Sequence, residues 1–371
     1  MKVLVVGGGS GGHITPAIAT VRELIELDPR TRIEFWTDRK YYRNVVKLTT
    51  LGEAAEEFHG GEGKKTARPV RVRKVLSGKF SRYAGWEFLD YFRNFPITVK
   101  DLIVGNIFGF FGFLGGIFQS FFRLLNERPD VIFLKGGFVG LPVGLVARLL
   151  KIPYVVHESD AVPGLANRIL MRRAAVVATG SSFESPEFEK KFRLKGRAEF
   201  VGIPVGEEFR KVSAGRAKSL KRAFSFDPEK PLTVITGGSQ GAKLKSNFRM
   251  WAFNSTMDEL MGAADVVVSR AGATTIAELA ALEKAVILVP FERLPGAHQL
   301  KNAEKLEKEG AVSVIRDEKL INQPGLLLEE VKRLVRSPKK REELKTKLGG
   351  TAKKGAARRL AEILVEVGKK K

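Results

Sequence analysis

The chain has 371 residues and no cysteine. Disulfides and thiolate metal sites are therefore excluded, which suits a reducing compartment. Acidic residues are also short: 41 Asp and Glu stand against 64 Lys and Arg, a formal net charge of +23. An excess of that size points to a polyanionic partner, whether nucleic acid, an anionic membrane or phosphorylated substrates. No recognised nucleic-acid-binding motif occurs, so no nucleic acid is expected, and membrane and phosphate remain. No secretory leader is expected either. The apolar start, Met1 to Val6, is too short and runs at once into glycine, so a cytoplasmic protein is expected. There is no internal repeat beyond two α/β halves.

What is present is a globular composition, 44% hydrophobic and 28% charged, in a length that suggests about two domains. Short apolar runs of β type alternate with helical stretches, and several runs end in glycine. Two such turns lie in the second half. Leu232 to Thr236 precedes Gly237-Gly238-Ser239-Gln240-Gly241-Ala242, and Asp265 to Val268 precedes Ser269-Arg270-Ala271-Gly272-Ala273-Thr274-Thr275-Ile276-Ala277-Glu278. Strand, glycine turn and helix N-terminus together present backbone N–H groups and a positive dipole end to phosphate. Glu278, one helical turn in, is placed like the acidic residue that binds ribose hydroxyls. Either turn alone could be ordinary α/β geometry; two in one half favour a nucleotide diphosphate.

The first half opens with a strand, Val3 to Val6, and Gly7, Gly9 and Gly12 then satisfy G-x-G-x-x-G. That pattern is shared by dinucleotide enzymes and many other α/β turns, and Asp38 could serve as the acidic residue a nicotinamide cofactor wants. His13 and Pro16 speak against that reading, because they place an imidazole at the mouth of the loop; a lone histidine there is otherwise more often structural. Lys135-Gly136-Gly137-Phe138 is another strand-to-glycine turn. The most polar cluster, His157-Glu158-Ser159-Asp160 through Asn167-Arg168, follows the strand at 154–156, at the strand end where open α/β sheets bind ligands. Val176 to Ala178 and Glu199 to Val201 complete a sheet of about six strands.

Residues 60–82 read as a basic loop. Leu102 to Phe122 carries no charge and is rich in phenylalanine. It is long enough to span a bilayer, which takes about 20 apolar residues. A span would put the strands after it on the opposite side of the membrane from Val3, so an interfacial helix is expected, with a core helix as the alternative.

These motifs carry a resemblance. GGSQGA followed by ADVVVSRAGATTIAE resembles the donor half of the MurG family, bacterial N-acetylglucosaminyltransferases of glycosyltransferase family 28. In the first half the family patterns GGTGGHxxPA, GGYVxxP and HEQN-x-x-PGLxN match in order, with Phe138 in place of a tyrosine and Asp160 in place of an asparagine. The resemblance implies an α/β fold of the GT-B type, with two Rossmann-like domains whose parallel sheets face a cleft. Residues 1–203, joined by a C-terminal helix at 356–371, would form the acceptor- and membrane-binding domain, and 204–355 the UDP-sugar donor domain. It implies transfer of N-acetylglucosamine from UDP-GlcNAc to a lipid-linked MurNAc-pentapeptide pyrophosphate, on the cytoplasmic side of the membrane. The protein would be held there peripherally by the 102–122 segment and the basic 60–82 loop.

By the same resemblance the nucleotide would lie against Ser239, Phe253, Asn254, Ala273, Thr274, Thr275 and Glu278, and the sugar near His298, Gln299 and Asn302. The undecaprenyl-pyrophosphate-linked acceptor would enter at Ser10, Gly11, Gly12, His13 and Gly137. His13 is the first candidate for general base because its ordinary pKa lies near the working pH; Glu158 is second and Asp160 third. No D-x-D constellation stands out, so helix dipoles rather than a metal would meet the leaving-group charge, and no cofactor is expected beyond the donor substrate. A UDP-sugar 2-epimerase of the same fold, or a catalytically impaired membrane-associated remnant, are the rivals.

The chain departs from the family in two further places. Gly206 stands where the hinge, Gly202 to Gly206, usually ends in arginine, with Arg210 four residues late. Between Ala242 and the run Arg249 to Phe253 only six residues remain, whereas a βαβ crossover takes about 30 or more. One crossover unit of the donor domain is therefore expected to be missing, leaving a shortened sheet and a weak phosphate site.

Overall fold

The computed structural model describes residues 1–57, 70–80, 103–181, 185–237, 256–292 and 297–370, with 50–57 and 185–186 described by their backbone alone. The chain divides into two compact units, Met1–Pro204 with Lys354–Lys371, and Val205–Lys353.

The first unit is built on a seven-stranded parallel sheet in the order β3-β2-β1-β4-β5-β6-β7. Its strands are β1 (Lys2–Val6), β2 (Arg32–Thr37), β3 (Arg71–Lys74), β4 (Val131–Leu134), β5 (Tyr154–Glu158), β6 (Val176–Thr179) and β7 (Arg197–Phe200). The central strands are apolar throughout because both faces are covered. Val3, Val5, Val131, Phe133 and Val155 point into one core with helices α1 (Gly11–Leu27) and Ala356–Lys369. Leu4, Val6, Ile132, Leu134 and Val156 point into the other. The sheet has one strand more than the sequence suggests. That strand, β3, lies inside the basic stretch expected to be loop. Its Arg73 pairs with Glu34 at 2.7 Å and Glu127 at 2.6 Å, so the alternating basic side chains belong to an edge strand.

Strand order decides where a ligand can sit. From β1 the chain runs outward through β2 to β3, then returns to the far side of β1 with β4 and runs the other way. Open sheets of this kind bind ligands at the carboxyl ends of the strands where the order reverses. Here that crevice lies between the loops after β1 and β4.

Helix α2 (Tyr42–Glu57) follows β2, and α3 (Gly105–Glu127) precedes β4. α4 (Gly137–Leu149) and α5 (Leu165–Leu170) follow β4 and β5, and α6 (Ser185–Phe192) follows β6. α3 is apolar on every side from Ile107 to Phe118, and its glycines decide its orientation. A Cβ on Gly109 or Gly112 would stand 2.8 Å from the Lys79 carbonyl or 2.9 Å from that of Ser77. The glycine stripe therefore lies against the 76–79 backbone. Most of the phenylalanines face outward, with Phe108 71%, Phe111 65%, Phe118 65% and Phe122 60% exposed, while Phe121 packs against the core. A core helix is excluded by that exposure. A span by α3 alone would put β3 and β4, which share one sheet, on opposite sides of the membrane. Phe113 differs from its neighbours in packing edge-on to Phe80, with ring centroids 6.4 Å apart.

The second unit carries a four-stranded parallel sheet in the order β11-β10-β9-β8. The strands are β8 (Thr233–Thr236), β9 (Val266–Ser269), β10 (Ala285–Leu288) and β11 (Ser313–Val314). Its helices run α7 (Ala214–Ala223), α8 (Met257–Ala263), α9 (Ala273–Ala281), α10 (His298–Lys308), α11 (Asp317–Asn322), α12 (Gly325–Arg336) and α13 (Pro338–Gly350). β8 pairs directly with β9, Val234 opposite Val267, and among the described residues no strand pairs with its other edge, where Ile235 is 41% exposed. The connection from β8 through α8 to β9 is a single crossover, and the 20 residues between β8 and α8 leave no room for a further strand-and-helix unit of about 30. The run at 249–253, expected to close that edge or leave it open, lies outside the described residues.

The last helix, α14 (Ala356–Lys369), belongs to the first unit and packs on α1. Arg359 ties it to Glu199 at 2.6 Å, and Arg197 returns a bond to Glu366 at 2.8 Å.

Candidate functional site

In the first unit the switch point is built by three strand ends. The loop after β1 must pass close to β2 and α4, and glycine permits it: Gly9 has φ +80, and a Cβ there would strike the Phe138 ring. Asp38, at the end of β2, accepts hydrogen bonds from the backbone N–H groups of Gly9 at 2.6 Å, Lys40 at 2.8 Å and Tyr41 at 3.1 Å. Its carboxylate braces the loop and is not presented to a ribose, which removes the support for a nicotinamide site.

The loop leads into α1, whose N-cap Ser10 makes no side-chain capping bond. The first-turn N–H groups, with Gly11 and Gly12 among the first residues, carry the positive end of the dipole of a 17-residue helix. His13 stands in this turn, half-buried. Its Nδ1 lies 2.9 Å from the Gly8 carbonyl. A carbonyl can only accept, so Nδ1 carries the proton and Nε2 is left with a lone pair. Burial, and then the charge of Lys135, lower the His13 pKa, against the opposing effects of the Gly8 bond and Asp160. The imidazole is thus neutral at neutral pH, the form required of a base.

The turn after β4 has two consecutive left-handed glycines, Gly136 at φ +103 and Gly137 at φ +76. A Cβ on Gly136 would meet the Asn167 amide at 2.9 Å, and one on Gly137 the His13 ring at 2.9 Å. Lys135 precedes them, 2% exposed, with Nζ donating to Ser159 Oγ at 2.7 Å. Burial pushes its pKa down to about 8, and Glu158 and Asp160 oppose that.

After β5, Glu158 is buried and accepts bonds from Asp160 N at 3.0 Å, Gly164 N at 3.0 Å and Asn167 Nδ2 at 2.9 Å. With both carboxylate oxygens engaged it acts as the clamp of the 159–167 loop and is poorly placed to take a substrate proton. Burial, and then the neighbouring Asp160, raise its pKa. His157 is fully buried, its Nε2 2.9 Å from the Gly202 carbonyl, and burial holds it well below the usual histidine range. Asp160 is half-buried above this clamp. Ser10, Gly11, Gly12, His13 and Asp160 are thus gathered at one crevice. Lys135, Ser159 and Asn167 complete it, and the one signal for Lys135 in sequence is a charge at the end of a wholly apolar strand.

In the second unit, β9 ends in a turn that opens α9 at N-cap Gly272, with no side-chain cap. Ala273 and Thr274 are buried in its first turn, and Thr275 and Glu278 are half-buried. The turn is held from two sides. Asn302 Nδ2 donates to the Ala271 carbonyl at 3.2 Å. Arg270 bonds Asp317 at 2.7 Å and the Val289 carbonyl at 3.2 Å, and lies over the Phe291 ring. Gln299 accepts from Phe291 N at 2.9 Å. Gln299 and Asn302, expected beside the sugar, thus also brace the loops. His298 is half-buried, with Nδ1 buried and without a hydrogen-bond partner among the described residues. Ser239, Phe253 and Asn254 lie outside the described residues.

Residues 3–179 match the glycosyltransferase family 28 N-terminal domain and residues 238–360 its C-terminal domain. The UDP-N-acetylglucosamine--N-acetylmuramyl-(pentapeptide) pyrophosphoryl-undecaprenol N-acetylglucosamine transferase of Clostridium kluyveri is 30% identical over 369 residues, covering 90% of this chain and 91% of that protein. The enzyme of the same name from Acetivibrio thermocellus is 29% identical over 412 residues, covering 100% and 99%. That aligned length exceeds the 371 residues here, so segments of that relative have no counterpart in this chain. Among solved structures, Acinetobacter baumannii MurG superposes with a TM-score of 0.63 at 19% identity, covering 98% of this chain and 99% of that one. The UDP-GlcNAc 2-epimerase of Neisseria meningitidis reaches 0.61 at 11% identity, covering 99% and 100%. The fold is the GT-B type, with two α/β domains on parallel sheets, and by sequence the chain belongs to glycosyltransferase family 28, with the MurG enzymes as its relatives.

Proposed function

We propose that the protein transfers N-acetylglucosamine, with inversion, from UDP-GlcNAc to a lipid-linked MurNAc-pentapeptide pyrophosphate, the reaction of peptidoglycan synthesis for which its relatives are named. The observation that carries this reading is the neutral His13, its Nε2 unprotonated, in the first turn of α1 at the switch point of the first unit. The acceptor pyrophosphate would lie on the N–H groups at Ser10, Gly11 and Gly12, with Gly137 beside it. His13 Nε2 takes the proton of the acceptor hydroxyl as its oxygen bonds the anomeric carbon. The bond from that carbon to the phosphate oxygen breaks, and UDP leaves with the electron pair. In the second unit the α9 N-terminus, at Ala273, Thr274 and Thr275, would meet the charge on the diphosphate, with Ser239 on the turn after β8. Glu278 would hold the ribose, Phe253 and Asn254 the uracil, and His298, Gln299 and Asn302 the sugar. No metal or cofactor is assigned a part. Asp160 borders the acceptor site.

The outward aromatic face of α3 favours a lipid-borne acceptor over a soluble one, and we assign it to the cytoplasmic membrane surface. Aromatic side chains there and basic residues of the adjoining 70–80 segment, such as Lys79, suit an anionic interface; the rest of the basic 60–82 stretch lies outside the described residues.

The test is transfer of labelled N-acetylglucosamine from UDP-GlcNAc to the lipid-linked acceptor in vesicles. Acceptor-dependent incorporation, lost in His13→Ala with UDP binding retained, is expected. Conversion of the donor sugar without acceptor would instead make the protein an epimerase.

A further inference from the structure

The position of Lys135 raises a question that the proposed chemistry leaves open. A lysine at the end of a wholly apolar strand, 2% exposed, needs a reason, since a buried ammonium is stable only with partners. Its backbone N–H donates to the Val6 carbonyl at 3.0 Å, which joins the ends of β4 and β1. Its Nζ donates to Ser159 Oγ at 2.7 Å. Two residues on, Gly137 lies against the His13 ring. The lysine therefore stands between the imidazole and the loop bearing Asp160, the residue found where the family pattern has an asparagine.

We infer that Lys135 is a positioning residue of the acceptor site: its buried ammonium offsets the carboxylates of Glu158 and Asp160 and sets the charge felt by His13. Among the described residues, the groups around the His13 ring come from three strand ends and from its own turn. From the end of β2 comes Asp38, already bonded to three backbone N–H groups. From the end of β4 comes Lys135. From the end of β5 come His157, which stays neutral, Glu158 and Asp160. On the helix's own side there are only the Ser10 hydroxyl, 3.2 Å from Nδ1, and the Gly8 carbonyl. Lys135 is the one cation among these groups. Its electrostatic effect on His13 is to lower the pKa, and that of Asp160 is to raise it. Asp160 would otherwise repel a pyrophosphate and favour imidazolium; the ammonium beneath the loop counters both.

The inference predicts a specific titration. The His13 ring proton signal, assigned by its loss in His13→Gln, is followed by NMR against pH in the full chain. In Lys135→Met its midpoint should move up, in Lys135→Arg it should stay near the wild-type position, and in Asp160→Asn it should move down. An unmoved midpoint in a folded Lys135→Met protein overturns the idea. If that variant does not fold, Asp160→Asn alone decides, because a midpoint that stays or rises there is equally fatal. The kinetic arm rests on His13 being the base. At pH 6, kcat/KM of Lys135→Met should fall by about threefold to tenfold relative to pH 8, as more imidazole is protonated. A shifted NMR midpoint with an unshifted rate profile would uphold Lys135 and instead remove His13 from its assigned role.

Discussion

The two units place a glycine turn at the end of a buried strand, yet they prepare it differently. In the first, β1 has a strand on either side, the order reverses there, and the crevice around the neutral His13 is lined with buried charge: Asp38, Lys135 and Glu158. In the second, β8 has β9 on one side alone among the described residues. The turn after β9 offers helix N–H groups and small side chains, and its charged neighbour Arg270 is bonded to Asp317. A site that must hold a histidine neutral needs fixed internal charge. A site that receives a nucleotide can rely on dipoles, because the ligand brings the charge.

The comparison breaks most visibly if the internal charges of the first unit prove dispensable. Glu158→Ala would leave the Asp160 and Gly164 N–H groups and the Asn167 amide without their acceptor. At about 1–3 kcal/mol for a buried donor left unpaired, partly relieved by removing a buried carboxylate, we expect about 2–4 kcal/mol less stability in urea unfolding. A loss below about 0.5 kcal/mol, within the range of ordinary surface substitutions, would mean that the loop holds itself.

The second unit is tested by its ligand. Glu278→Ala should weaken UDP binding by about 1.5–3 kcal/mol through lost charge-assisted hydrogen bonds, read by calorimetry. Comparing UDP with uridine sharpens the point. With β8 at the edge of the sheet among the described residues and no room for a second crossover unit before β9, the diphosphate should add little. Several kcal/mol gained from it would show an intact phosphate site and make the missing strand harmless.

The smallest effect is a pH dependence. The folded-state pKa of His157 lies well below its ordinary 6.5, so the unfolded chain binds more protons between the two values. Stability is therefore full above about pH 6.5 and is lost as pH falls through that window, with a slope approaching about 1.4 kcal/mol per pH unit for one such histidine. His13, also lowered, acts in the same direction. His157→Gln should flatten the slope between pH 7 and 5, and an unchanged slope would contradict a buried neutral imidazole.

Much of this was legible in the sequence for a physical reason. Parallel strands covered on both faces leave unbroken apolar runs, and turns near phosphate need glycine, so Val3–Val6, Val131–Leu134 and Val266–Ser269 announce themselves with the loops that follow. Strand β3 was not legible, because Arg71 and Arg73 resemble a solvated loop until Glu34 and Glu127, distant in sequence, are brought beside them. The outward face of α3 was hidden too. Glycine and phenylalanine both count as apolar or neutral, and only the close approach of 76–79 shows which side turns inward. What Asp38 does was not legible either, because a carboxylate after β2 looks the same whether it faces a ligand or its own backbone.

The last helix has a consequence for how the molecule is made. α14 completes the core of the first unit against α1, with Leu360, Ile363 and Leu364 wholly buried, and it is synthesised after the whole of the second unit. While residues 205–353 leave the ribosome, the apolar groove waiting for α14 stays uncovered. The unit that begins first is thus the one that finishes last, and domains normally fold as units in the order they are made. During that interval the nascent chain carries two open apolar surfaces, the groove and the aromatic face of α3. Only the groove is closed by the chain itself.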